Sequence, residues 1–157
     1  MTDIDFPFQA IKGLTFDPKP QPLPANLRPG YRIALIMLVL KTNCRDNAAS
    51  LLKLQFFNWL LKSSSLQKFV QAKLSSQDIF MLELIHLDPM VNLALRYAFA
   101  DNLISITKNS RYKLTEKGER FANQILQAKE AILGKEMEIL VRIGQQVSEV
   151  KLRHELV

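Results

Sequence analysis

The sequence predicts a mainly helical fold that carries one small β-hairpin in its second half. Three observations lead there. Asp88-Pro89 is a strong helix start: an N-cap, then a proline whose missing N–H costs nothing at the first helical position. Met90–Phe99 continues that helix with Met, Leu and Ala. Ile104-Ser105-Ile106-Thr107 then alternates with the period of a strand, Lys108-Asn109-Ser110 reads as a turn, and Arg111–Leu114 returns as a second strand. Thr115 caps a further helix with Glu116 in its first turn, where the positive helix end favours an acid. Gly118, also in that turn, is expected to let the helix approach the hairpin or the helix before it.

The remaining elements follow in order. Residues 1–30 read as a Pro-rich N-terminal arm. Six of the seven prolines lie there, which forbids a helix and favours extended geometry. Phe6, Phe8, Ile11, Leu14 and Phe16 make it too apolar for a solvated linker, so it is expected to pack along its own domain, with a partner-binding arm as the competitor. Tyr31–Lys41 is expected to be a helix buried on most sides, because Ile33–Leu40 leaves it no polar face; a buried strand is the rival. Thr42–Asn47 is a polar turn. Ala48–Lys62 reads as a second helix whose apolar residues exceed one stripe, so it either lies at the centre of the domain or covers another chain. Ser63–Ser65 breaks the chain, a helix follows through Leu66, Phe69, Val70 and Leu74, and Ser75-Ser76 breaks it again. Ile79–Leu87 is nearly continuous in apolar residues, which fits a buried strand that could join the hairpin, while its Met, Leu and Glu fit a helix; the strand is the favoured reading.

After the hairpin a long helix is expected from Glu116, with Phe121, Ile125, Leu126, Ala128, Ile132 and Leu133 on its apolar stripe and a break at Gly134. Glu136–Gln146 resumes it, and Ser148 caps a last short helix. The chain thus divides into the arm (1–30), a central domain (31–127) and a C-terminal helical extension (128–157). The extension suits dimerisation, docking, or folding back across the N-terminal helices.

Composition narrows the function. Apolar residues make up 48% of the chain, enough for a core, which excludes global disorder. The net charge of +6 suits nucleic acid, an acidic protein partner or plain solubility, and no Lys/Arg run forms a basic tail. The single cysteine, Cys44, leaves no intrachain disulfide, which fits a reducing compartment. The longest apolar run has eight residues, far short of the ~20 that span a bilayer. The first ten residues lack the basic and apolar regions of a secretory signal. A soluble cytoplasmic protein without membrane contact is expected. No catalytic, metal or cofactor-binding set can be assembled. His86 and His154 are isolated, Cys44 has no base beside it in sequence, and the Gly-rich phosphate loops and the nucleophile elbow are missing.

Helix, hairpin, then a capped helix with Gly in its first turn resembles the end of a winged helix-turn-helix domain. The resemblance makes the chain's fold class a winged helix with N-terminal helices, the Pro-rich arm and a long C-terminal helix. DNA contact through Lys108, Arg111 and Lys113 of the wing, with Arg96 on the preceding helix, is the first functional expectation. That helix argues against sequence reading, because Met90–Ala100 offers base edges only Asn92, Arg96 and the Tyr97 hydroxyl. It has the composition of a helix buried on most of its surface, better suited to protein contact. Phe56, Trp59 and Leu60 of the second helix and Ile139 and Ile143 of the extension are the candidate partner contacts.

The order of "RPGYRIALIMLVLK", "LLKLQFFNWLLKS", "DPMVNLALRYAFADNLISI", "YKLTEKG" and a long C-terminal helix is similar to the middle component of ABC-three component systems, which include Lamassu-type defence operons. The similarity spans roughly residues 25–152. It implies a non-enzymatic adaptor that assembles with an SMC/Rad50-like ABC ATPase and an effector protein, in antiviral defence against phage or plasmid DNA. DNA contact by the subunit itself would then be weak and sequence-blind, and homo-oligomerisation stays open. The alternative is a winged-helix transcription regulator that binds operator DNA as a homodimer. A small enzyme is a distant third reading.

Overall fold

The computed structural model describes residues 22–76, 87–128 and 133–153. Its elements run α1 (Pro29–Asn43), β1 (Ala48–Ala49), α2 (Leu51–Leu60), α3 (Ser64–Ser76), α4 (Pro89–Ala100), β2 (Ile104–Ile106), β3 (Tyr112–Leu114), α5 (Glu116–Gln127), α6 (Gly134–Ile143) and α7 (Glu149–Arg153), with single 3-10 turns at Ala25–Leu27 and Arg45–Asn47. The fold is mainly helical with one small three-stranded antiparallel sheet, in the order β1-β3-β2.

Helix α1 is the centre of the molecule. All six residues from Leu35 to Leu40 are buried, and the helix packs against α4, α5 and α6. A helix without a polar face has to be surrounded on most sides, as the apolar run predicts. It starts earlier than Tyr31, because Pro29 fits its first turn, so Pro29 and Gly30 belong to α1 and not to the arm. Of the arm itself, only residues from Pro22 onward lie among those described. Asn43, the last residue of α1, is fully buried and donates from Nδ2 to the carbonyls of Leu140 at 2.9 Å and Gly144 at 2.7 Å. The Leu140 carbonyl also accepts from the Gly144 N–H at 2.9 Å, so the Asn43 side chain adds to the cap of α6 and joins two helix C-termini. Gly144 closes α6 with φ at 54° and ψ at −136°, a conformation that glycine tolerates and other residues avoid.

The C-terminal segment is therefore not one long helix. Ala128 turns extended and ends α5, α6 opens at the expected break, and Ser148 caps α7 by accepting from the Lys151 N–H at 3.2 Å. The segment folds back, and Leu140, Ile143, Val147 and Leu152 enter the same apolar core as α1 and α2.

Two other expectations need correcting. Ala48-Ala49 is not the start of a helix but a short strand, paired with Lys113 and Tyr112. Helix α2 begins only at Leu51, because the Ser50 hydroxyl accepts from the Lys53 N–H as N-cap. The chain breaks at Ser63 as expected, but α3 already starts at Ser64, so Ser64 and Ser65 belong to its first turn, and Ser75 and Ser76 are still helical. The strand assigned to Ile79–Leu87 lies outside the described residues except for Leu87, which is exposed and in no strand.

The hairpin and α5 lock together through Gly118. A Cβ built there would sit 2.0 Å from the Leu103 carbonyl oxygen, so only glycine fits. The same oxygen accepts from the Thr115 N–H at 3.1 Å, and the Thr115 hydroxyl accepts from the Gly118 N–H at 3.1 Å.

Candidate protein-docking face between α4 and the hairpin

Helix α4 buries Val91, Ala94, Leu95 and Ala98, spaced i, i+3, i+4 and i+7. One such stripe anchors a helix and leaves its other face free. The expectation that α4 is buried on most of its surface is thus corrected: Asn92, Arg96, Tyr97, Phe99 and Ala100 are exposed. Beside this face stand β2 and β3. Ile104 and Leu114 point into the core, and strand alternation places Ile106 and Tyr112 on the same side of the sheet, beyond the core's edge. The result is a groove of about 290 Å³ lined by Leu51, Leu95, Phe99, Ile106 and Tyr112, with Asn92 and Arg96 as its polar members. Phe99 is 52% and Ile106 54% exposed. Large apolar side chains that open and that close together mark contact surfaces more often than isolated ones do.

A polar network at the start of α4 fixes the helix against α1 and α2. The Asp88 carboxylate caps the helix by accepting from the Met90 N–H at 2.9 Å, and it pairs with Arg32 at 2.8 Å and Lys62 at 3.0 Å. Asn58 donates to it at 3.3 Å and accepts from Arg32. The Gln55 amide brackets the Asp88 backbone, accepting from its N–H at 2.9 Å and donating to its carbonyl at 3.1 Å. Burial by itself would raise the Asp88 pKa. The Met90 N–H, Lys62, Arg32 and Asn58 outweigh it and pull the value down to about 2. Arg32 is only 6% exposed, so the pair is a buried one that holds α1, α2 and α4 in register.

The four candidate DNA-contact residues do not converge. Arg96 lines the groove. Lys113 is exposed but pairs with Ser105 and Ala48, on the sheet face opposite Tyr112. Lys108 is exposed in the hairpin loop, where Ser110 adopts φ of 55°. Arg111 is corrected from a phosphate contact to a structural tie. Its Nη2 donates to the Ala48 carbonyl at 2.6 Å and lies 3.7 Å from the Glu149 carboxylate. Glu149 in turn accepts from the Ser50 N–H at 2.8 Å and the Ser50 hydroxyl at 2.6 Å, so the arginine joins hairpin, β1 and α7.

Three of the five candidate partner contacts are also corrected. Phe56, Leu60 and Ile143 are at most 1% exposed and belong to the chain's own core. The surplus apolar surface of α2 is taken up by α1, α3, α4 and α7. Trp59 and Ile139 are half-buried against that core, Trp59 with its ring 5.9 Å from Phe56.

Sequence reasoning placed Phe99 and Ile106 in their elements but gave them no role. The available signal was Ile106 itself, a strand residue two beyond Ile104 with no core left to enter. Cys44 is buried, and its thiol is pushed up to about 11, first by that burial, so it stays protonated at neutral pH. Among the described residues no group of His, Cys, Asp or Glu is placed to hold a metal ion, and no helix is long and apolar enough to cross a membrane. Comparison with protein-family models, curated proteins and solved structures gives no match to this chain.

Proposed function

We propose that the chain is a non-enzymatic winged-helix adaptor, a subunit of a cytoplasmic complex built on an SMC-like ABC ATPase and an effector that acts against phage or plasmid DNA. The sheet order β1-β3-β2, with α4 ahead of the hairpin and α5 behind it, supports the winged-helix reading. The ATPase, the effector and the defence role come from the resemblance stated above.

The observation that carries the adaptor reading is the exposed face of α4. A helix that reads bases needs several donors and acceptors on that face. Here the groove wall is Phe99, Leu95, Ile106 and Tyr112, with Asn92 and Arg96 as the only polar lining. The nearest exposed wing cation on a strand, Lys113, faces the other way.

A salt titration on several unrelated duplexes and on the DNA upstream of the chain's own gene separates this reading from an operator-binding homodimer. The adaptor reading expects weak, sequence-blind binding or none. Any binding should fall by about one unit of log-log slope per phosphate contact and flatten when Lys108 and Lys113 become Ala. A nanomolar preference for the upstream DNA, lost in Asn92→Ala, would restore the regulator.

A further inference from the structure

We infer that the groove between α4 and the hairpin is the docking site for an amphipathic segment of a partner protein, apolar on its inserted face and acidic beside it. The inference rests on the adaptor reading for the existence of a partner and adds where it binds and with what chemistry. The groove walls supply the apolar part. Phe99 and Ile106, each more than half exposed, flank Leu95, Leu51 and Tyr112, a floor and two walls that a side chain at helical spacing can enter.

Charge complementarity selects the rest of the partner. Arg96 lies in the groove lining, and it makes no hydrogen bond or ion pair with a described residue. No acid occurs from Pro89 to Ala100, so no carboxylate on α4 itself opposes the Arg96 charge. A carboxylate set beside an inserted apolar side chain would meet the Arg96 guanidinium in a charge-assisted hydrogen bond, strengthened by the aromatic surroundings. A basic segment would meet only like charge. Duplex DNA would satisfy Arg96 but leave Phe99 and Ile106 against phosphates. The larger cavity around Arg32, Asn58, Lys62 and Asp88 offers no such vacancy, because its cations are already paired with Asp88.

The test is an NMR titration of the isotope-labelled full chain with two synthetic helical peptides. Their apolar positions are identical, and one carries Glu and the other Lys on its polar flank. The Glu peptide should shift the amides of Asn92, Arg96, Phe99, Ile106 and Tyr112 and bind about tenfold or more tightly than the Lys peptide. Arg96→Glu should reverse that preference, and Ile106→Asp should abolish both, each with unchanged thermal stability because both side chains are exposed. Equal binding of the two peptides, shifts centred elsewhere, or no binding would overturn the proposal. So would stronger shifts of the same amides by a duplex, or by self-association of the chain alone. The titration needs no ATPase, so its failure leaves the adaptor reading standing, and a chain that ignores the ATPase leaves the groove result standing.

Discussion

Asp88 shows how far single residues could be read. Its role as helix cap is local and visible in Asp88-Pro89, but its ion pairs are not, because Arg32 and Lys62 come from other helices. The pairing has a consequence in pH. An Asp whose pKa is about 2 in the fold and 3.8 when unperturbed stabilises the fold fully above about pH 4, and loses that contribution as pH falls toward 2. Asp88→Asn keeps an acceptor for the Met90 N–H but removes the carboxylate charge that faces Arg32 and Lys62. The variant should be less stable by about 2 kcal/mol or less at neutral pH, from the loss of the Lys62 and Arg32 pairs together, with the Lys62 share reduced because that side chain is half exposed. Denaturant titrations of both proteins across pH should show the gap narrowing from about pH 4 to pH 2. A gap that stays constant over that range would remove the ion pairs as its source. Arg111 teaches the opposite lesson. Its place beside the turn suggested a solvent-facing cation, and only the folded position of Ser50 and Glu149 reveals a structural one.

Among the elements, those with a clear period or turn signal were legible: α1, α4 and the hairpin stand within a few residues of expectation, and α5 starts where its cap places it but ends at Gln127, short of the stripe expected through Leu133. Strand β1 was not. Two alanines are good helix formers, and nothing local signals that they pair with β3. The groove was hidden for the same kind of reason, since its walls come from α2, α4, β2 and β3. Gly118 was readable as a close approach, and the contact is tighter than the sequence could say. Gly118→Ala tests it with a sign that helix propensity would not give. In an exposed helix interior the change would stabilise by about 1 kcal/mol. Here the new methyl meets the Leu103 carbonyl, so a loss of about 3 kcal/mol is expected, at the upper end of overpacking costs. Chemical denaturation measures it, and a neutral or stabilising result would mean that α5 does not dock on the hairpin as described.

For the whole molecule, the long C-terminal helix expected from sequence becomes separate helices, of which α6 returns onto α1. Fold-back was one of the arrangements the sequence left open. It could not be chosen there, because an apolar stripe such as Leu140 and Ile143 fits a partner as well as it fits the chain's own core. With α2, α6 and α7 closed onto that core, the α4–hairpin groove still leaves Phe99 and Ile106 exposed, and it is there that we propose a partner docks. Co-expression with the products of the adjacent genes tests the adaptor reading most directly. The account predicts a stable complex with an SMC-like ATPase that survives about 0.5 M salt, because apolar burial is little weakened by screening. It also predicts that Ile106→Asp releases the chain while leaving it folded. A chain that purifies as a monomer and ignores the ATPase would contradict it.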